Sequence, residues 1–133
     1  TNFESLDVYQ RAEELADLVW DVVTGWERFA RDTVGKQLVR AADSVPANIA
    51  EGSGRSSPRD RKHFVRIARG SLYETKNGLR RAYRRNLLAE DQIETLKPLT
   101  DALAPMLNAY LRSIGESAKE LNTKSKEPHG TSI

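Results

Sequence analysis

Apolar residues recur at spacings of three and four along four stretches of this chain and alternate along none, so the pattern predicts helices without strands. The first helix is expected from Phe3 to Thr24, with Leu6, Tyr9, Ala12, Ala16, Val19 and Val23 as its apolar stripe and Val8, Leu15 and Val22 widening it. Ser5 is placed to cap it, Asp7 suits the positive end of the helix dipole, and Gly25 is a plausible stop. Trp26 to Thr33 reads as a connection in which Trp26 and Phe29 lid one end of the core. A second helix follows from Asp32 or Thr33 to Glu51, with Val34, Leu38, Ala41, Val45 and Ile49 facing inward. Pro46 lies inside that pattern, where it removes one backbone hydrogen bond and predicts a kink near Ala42 to Val45.

Gly52 to Ser57 is the sharpest break in the chain, and Gly52 reads as a helix C-cap. Ser57 then caps a third helix with Pro58 at its first position, where a missing N–H costs nothing. Phe64, Ala68, Leu72, Thr75, Leu79 and Ala82 form its core stripe, and it runs to about Asn86. Gly70 and Gly78 inside it each cost on the order of 1 kcal/mol against alanine, which close packing against another backbone would explain. The fourth helix starts near Ala89, with Ile93, Leu96, Thr100, Leu103, Leu107, Tyr110 and Ile114 inward; Pro98 and Pro105 predict bends. The expected fold is all-α: an antiparallel up-down-up-down four-helix bundle over residues 1–115 with a kinked second helix. Residues 116–133 are polar, with Pro128 and Gly130, and read as a frayed or disordered tail.

At 133 residues the chain is one domain on length, large enough for a single buried core. It has no cysteine, which removes a disulfide framework, a thiolate zinc site and a cysteine nucleophile together and fits a cytoplasmic setting. No apolar run approaches a membrane span, and the opening residues lack the basic-then-apolar pattern of a signal peptide. The net charge of +2 hides an asymmetry: residues 55–85 carry eleven Lys/Arg against two Asp/Glu, a local net of +9, and the remainder is −7.

That asymmetry is concentrated in one stripe. Arg59, Lys62, Arg66, Arg69, Lys76, Arg80 and Arg84 recur at helical spacing, with Tyr73 filling the gap. Their two-residue offset from the core stripe places them on the opposite face. One reading is a solvated face, or one paired with the acidic first and fourth helices; Glu13, Glu14, Asp17 and Asp21 make the first helix acidic outside. The other is a footprint for nucleic acid, RNA or DNA, since a one-sign stripe forgoes the i,i+4 pairs that exposed helices commonly form. Tyr73 is either a base-stacking platform or a boundary residue. Glu51 is placed to pair with Arg69 or Arg40, within the chain or across subunits, and Asn48 and Glu51 could alternatively contact a partner.

Nothing points to an enzyme, a cofactor or a metal. The histidines are His63 and His129, and no Glu-x-x-His motif is present, so the di-iron bundle pattern fails. Gly52-Ser-Gly54 is too short for a phosphate-binding loop and lacks its lysine. Glu13 and Glu14 are adjacent in sequence and diverge on a helix, unlike a paired acid/base site.

The run from Arg40 to Gly52, RAADSVPANIAEG, resembles a signature of the bacterial four-helix-bundle proteins encoded in intervening sequences of 23S rRNA genes. Phe3 to Ala12 is similar to that family's opening, and Phe64 to Glu74 to its third-helix signature; the resemblance covers roughly residues 3–114. It departs at Asn77-Gly78 and beyond Gly115. The resemblance implies a cytosolic ring, a homopentamer, with no catalytic activity. Related accessory variability determinant proteins of retroelements bind nucleic acid and a reverse transcriptase, so a partner protein is a second expectation. Arg40, Ser44, Pro46, Asn48, Glu51, Gly52, Gly70 and Glu74 are the family-motif or interface candidates.

Overall fold

The computed structural model describes residues 3–115. Its main elements are four helices: α1 (Asp7–Thr24), α2 (Lys36–Ser53), α3 (Pro58–Arg84) and α4 (Glu90–Ser113). No strand occurs among the described residues. Helices consecutive in sequence pack together and α4 returns to α1, which leaves α1–α3 and α2–α4 as diagonal pairs whose backbones do not approach. The core between them holds Leu15, Val19, Leu38, Val45, Ile49, Leu72, Leu103 and Leu107, all fully buried. Each such side chain stabilises the fold by about 1.5–3 kcal/mol relative to exposure. The tail expected from residue 116 lies outside the described residues.

Several helix ends differ from the sequence-based expectation. The cap of α1 falls on Leu6, with no side-chain hydrogen bond, and a 3₁₀ turn at Phe3–Ser5 precedes it, so Ser5 is not the cap. Gly25 does end α1. The expected Trp26 to Thr33 connection is mostly helical. The Glu27 carboxylate accepts hydrogen bonds from the Phe29 and Ala30 N–H groups at 3.0 and 2.8 Å, so a helix restarts at Arg28. It continues through a π-helical turn, Arg31–Gly35, into α2. A glutamate cap is outside the usual Ser/Thr/Asp/Asn set, which is why sequence pattern passed over it. Trp26 packs on the core, but Phe29 is 73% exposed and lids nothing. The start of α3 follows expectation: Ser57 Oγ accepts from the Asp60 N–H at 3.0 Å, with Pro58 at the first position.

The α2–α3 seam is the tightest in the bundle. A Cβ on Gly52 would meet the Phe64 Cβ at 3.1 Å and the Arg61 carbonyl at 3.2 Å. Gly52 is therefore a buried helical contact and not a cap; α2 runs on to Ser53, and Gly54 ends it. At mid-seam the Ser44 and Ser71 hydroxyls lie 2.8 Å apart. Further along, a Cβ on Gly78 would come within 2.8 Å of Leu38 Cδ1. Partners 38–78, 44–71 and 52–64 run in opposite order along the two helices. Asn48 Nδ2 donates to the Ser44 carbonyl at 2.8 Å and to its hydroxyl at 2.9 Å, which leaves the Ser44 proton for Ser71. Thr75 Oγ1 donates to the Ser71 carbonyl at 2.8 Å. Pro46 is buried within an unbroken α2.

On the other side of α2, Asp43 is held above the usual carboxylate range, first by partial burial and then by the charge of Asp17 on α1. The folded chain thus favours a proton that the unfolded chain has released.

Two measurements follow. Ser71→Ala costs about 1 kcal/mol in urea unfolding, and Ser44→Ala at least as much because it also strips Asn48 of an acceptor. The double variant loses less than their sum by about 0.5 kcal/mol or more, while the changes in helix propensity cancel in the cycle; strict additivity would mean that the hydroxyls do not couple the helices. For Asp43, the penalty is present above its raised folded pKa and gone below the ordinary aspartate value of about 3.9. Asp43→Asn therefore raises the melting temperature at pH 7 and leaves it unchanged near pH 3; equal effects at both would show that charge is not the cause.

Candidate nucleic-acid interface

α3 is a 27-residue helix, about 40 Å long at 1.5 Å per residue. Its buried positions are Val65, Ala68, Ser71, Leu72, Thr75 and Ala82. Sequence pattern supplied Ala68, Leu72, Thr75 and Ala82, but Phe64 and Leu79 are only half-buried, and Val65 and Ser71 were missed. Averaged over the buried positions, the core face and the basic stripe lie roughly 130° apart at about 100° per residue. The stripe is not opposite the core. It lies on the flank of α3 that borders α4.

The contacts agree with that placement. Arg59, Arg66, Tyr73, Arg80 and Arg84 are exposed, whereas Lys62, Arg69 and Lys76 are half-buried. Arg69 Nη1 donates to Asn108 Oδ1 on α4 at 3.0 Å, which holds its guanidinium at the helix boundary. The ion pairs among the described residues join Arg28 and Arg31 to Asp32, Arg55 to Glu51, and Lys97 to Asp101. None includes a cation of the strip. Glu51 pairs with Arg55 at 2.6 Å, not with Arg69 or Arg40, because Arg55 is one helical turn away and also lies 4.6 Å over the Phe64 ring. Adjacent like charges on a helix cost about 0.2–0.5 kcal/mol per pair, so the uncompensated strip opposes folding mildly.

At the far end of the strip, α3 and α4 part around a groove of about 490 Å³. Lys76, Leu79, Arg80 and Tyr83 form its α3 wall; Leu88, Glu90, Ile93, Leu96, Lys97, Thr100 and Asp101 form the other. Tyr83 is 54% exposed at its mouth. The chain reaches the second wall through Asn86, whose φ of 61° makes the reversal; asparagine tolerates that left-handed conformation better than most residues. Sequence pattern placed this stretch only between the end of the third helix near Asn86 and the start of the fourth near Ala89. The one available signal was Tyr83, three residues beyond Arg80 on the strip's side of α3.

The family-motif candidates divide into two groups. Ser44, Asn48 and Gly52 belong to the α2–α3 seam, and Pro46 is buried within α2. Arg40, Glu51, Gly70 and Glu74 are exposed. A Cβ on Gly70 would meet nothing within 4 Å, so close packing explains Gly78, against the Leu38 side chain, but not Gly70 within this chain. On α1 the acids Glu13, Glu14, Asp17 and Asp21 are all exposed, diagonal to the basic helix. Tyr9 donates to Glu13 at 3.2 Å; its hydroxyl is held above the ordinary tyrosine range, first by burial and then by that carboxylate. His63 makes an edge contact with the Phe64 ring; His129 lies outside the described residues. Among the described residues no three His, Cys, Asp or Glu side chains converge as a metal site. No described helix is long and apolar enough to cross a membrane.

No curated protein matches this chain. A protein of unknown function from the S23 ribosomal protein family of Bacteroides thetaiotaomicron has a crystal structure similar to this one, with a TM-score of 0.71 at 21% identity. The similarity covers 80% of this chain and 99% of that one, and at this identity it speaks for the fold alone. Residues 4–109 match the family whose opening, second-helix and third-helix signatures were read above, and the chain belongs to the 23S rRNA-intervening sequence proteins.

Proposed function

We propose that this protein is a non-enzymatic, oligomeric bundle that binds structured RNA through the α3 flank. The observation that carries the reading is the strip of seven cations from Arg59 to Arg84, four exposed and three partly buried, with no acidic partner among the described residues. The alternatives are a merely solvated face and one paired with the acids of α1 and α4; against the second, none of the ion pairs among the described residues joins a strip cation to either helix. The strip has the charge and linear repeat to track phosphates. It presents no Asn/Gln/Arg set arranged for base edges, so little sequence specificity is expected.

Assembly is the second part of the proposal. Acidic α1 and basic α3 are complementary, non-identical surfaces on diagonal helices, which suits a head-to-tail contact that closes into a ring. Gly70 supports it: a mid-helix glycine with open space around it weakens α3, and nothing inside the chain needs it. A ring of five, the number the family resemblance implies, sets several strips around one axis. The same surfaces favour a protein-interaction scaffold as the competing reading, in which the strip meets a neighbouring subunit or a partner protein.

RNA binding followed across a salt series separates the two. Phosphate contact makes log affinity fall linearly with log salt, by about 0.7 per phosphate neutralised on single strands. Changing Arg66, Arg80 and Arg84 together to glutamate abolishes binding with helicity and mass unchanged. Absence of binding at low salt sinks the RNA reading, and a triple variant that falls into monomers assigns the strip to an interface.

Light scattering tests the ring, expected near five times the 14.9 kDa chain. Gly70→Ala raises the stability of the isolated bundle by about 0.5–1 kcal/mol. If the glycine serves a subunit contact, the same variant shifts the assembly toward monomer; a stabilised variant with unchanged mass removes Gly70 from the interface.

A further inference from the structure

We infer that the groove between the end of α3 and the start of α4 is a pocket for one unpaired base of the bound RNA. The inference rests on the RNA-binding reading and adds to it the part of the ligand that the strip cannot hold. The groove continues the strip: Lys76 and Arg80 belong to both. Neither makes an ion pair among the described residues, so both can reach phosphate oxygens at the mouth. Lys97, the cation on the opposite wall, is already held by Asp101 at 2.9 Å.

The floor is of different chemistry. Leu79, Leu88, Ile93 and Leu96 line it, and Tyr83 stands 54% exposed beside Arg80. A backbone-tracking cationic edge next to an apolar slot with one open aromatic ring is the combination that holds single-stranded nucleic acid. At about 490 Å³ the groove lies within the range of small-ligand sites and is roomy for one nucleotide. A duplex cannot offer it a base, whereas a loop or bulge can splay one out.

Charge also fixes the direction of entry. Glu90 stands on the α4 wall and repels phosphate there, while Asp101 offsets the charge of Lys97, so that wall presents no free cation to phosphate. The phosphates are therefore confined to the α3 side, and the α4 wall is left for the neutral base, whose exocyclic amino groups those carboxylates can accept from. A purely apolar guest, such as a partner helix, would leave Lys76 and Arg80 unused.

The experiment compares two fluorescently labelled RNA strands of equal length and charge, one intact and one abasic throughout, by anisotropy at low salt on the full chain. The wild type is expected to bind the intact strand about tenfold more tightly, the effect of stacking one or more bases. Tyr83→Ala, at an exposed position, reduces that ratio toward one while leaving the abasic affinity unchanged, and Tyr83→Phe restores it. Equal affinities in the wild type overturn the pocket and leave the phosphate-binding strip standing. A ratio that survives Tyr83→Ala overturns it too, since bases are then held elsewhere. Failure of both strands to bind removes the RNA reading and the pocket together. Saturable binding of adenosine monophosphate without strand binding overturns the pocket in favour of a free-nucleotide site.

Discussion

The close approach of α2 to α3 is the constraint on which the rest of the bundle depends. Three contacts spread along the seam hold it: Gly52 beneath Phe64, the Ser44–Ser71 hydroxyl pair, and Leu38 in the notch left by Gly78. Two of these need the absence of a side chain, and the third needs two small polar ones. Together they fix the distance between the helices and the rotation of α3 about its own axis. A rotation of one residue, roughly 100°, would bury Lys76 or expose Val65. The aim of the basic strip is thus set by residues on the far side of the helix that touch no ligand. A change in the seam is expected to reach the strip as misalignment before it reaches it as unfolding.

The charge layout has the opposite character, because the fold leaves it unresolved. Acids on α1 and bases on α3 could have been neighbours. Instead they occupy diagonal helices and face away from one another. The ion pairs that do form are local, one turn apart or adjacent in sequence, and exposed. Exposed pairs of that kind contribute at most about 1 kcal/mol each. Hydrophobic burial and the seam hold the bundle together, and its strongest charges are left for something outside the chain. That division is the physical reason for reading α3 as a surface with a purpose and α2 as a structural rib.

The four helices, the Ser57–Pro58 start and most of the core were legible because period and cap chemistry are local properties of sequence. What was not legible depended on which neighbour fills a space. Gly52 carries the same residue type as a C-cap, and only the position of Phe64 reveals it as a contact. Gly70 and Gly78 are identical in sequence terms, yet one faces Leu38 and the other open solvent. Glu51 had several arginines within plausible reach, and the nearest in sequence, Arg55, took it. The cations of the strip were all identifiable from spacing. Their bearing was not, because it required knowing that α4 lies beside that flank of α3. The groove was the least legible feature, since its two walls come from helices whose register sequence does not state.

The error in bearing matters for binding. Cations on the face opposite the core would stand free in solvent, each losing about 0.5–1.5 kcal/mol of side-chain freedom when fixed on a ligand. On the α4 flank, Lys62, Arg69 and Lys76 are partly buried, and long cationic side chains so placed can lay their stems on protein. Arg69 is further held by Asn108. These side chains have already lost part of their freedom on folding, so less is lost on binding. Arg59, Arg66, Arg80 and Arg84 are exposed and supply reach. A strip that mixes braced and freely exposed cations combines a fixed register with tolerance of an irregular backbone. Those are the two properties that a structured RNA, with helices interrupted by loops, requires of a surface that does not read its sequence.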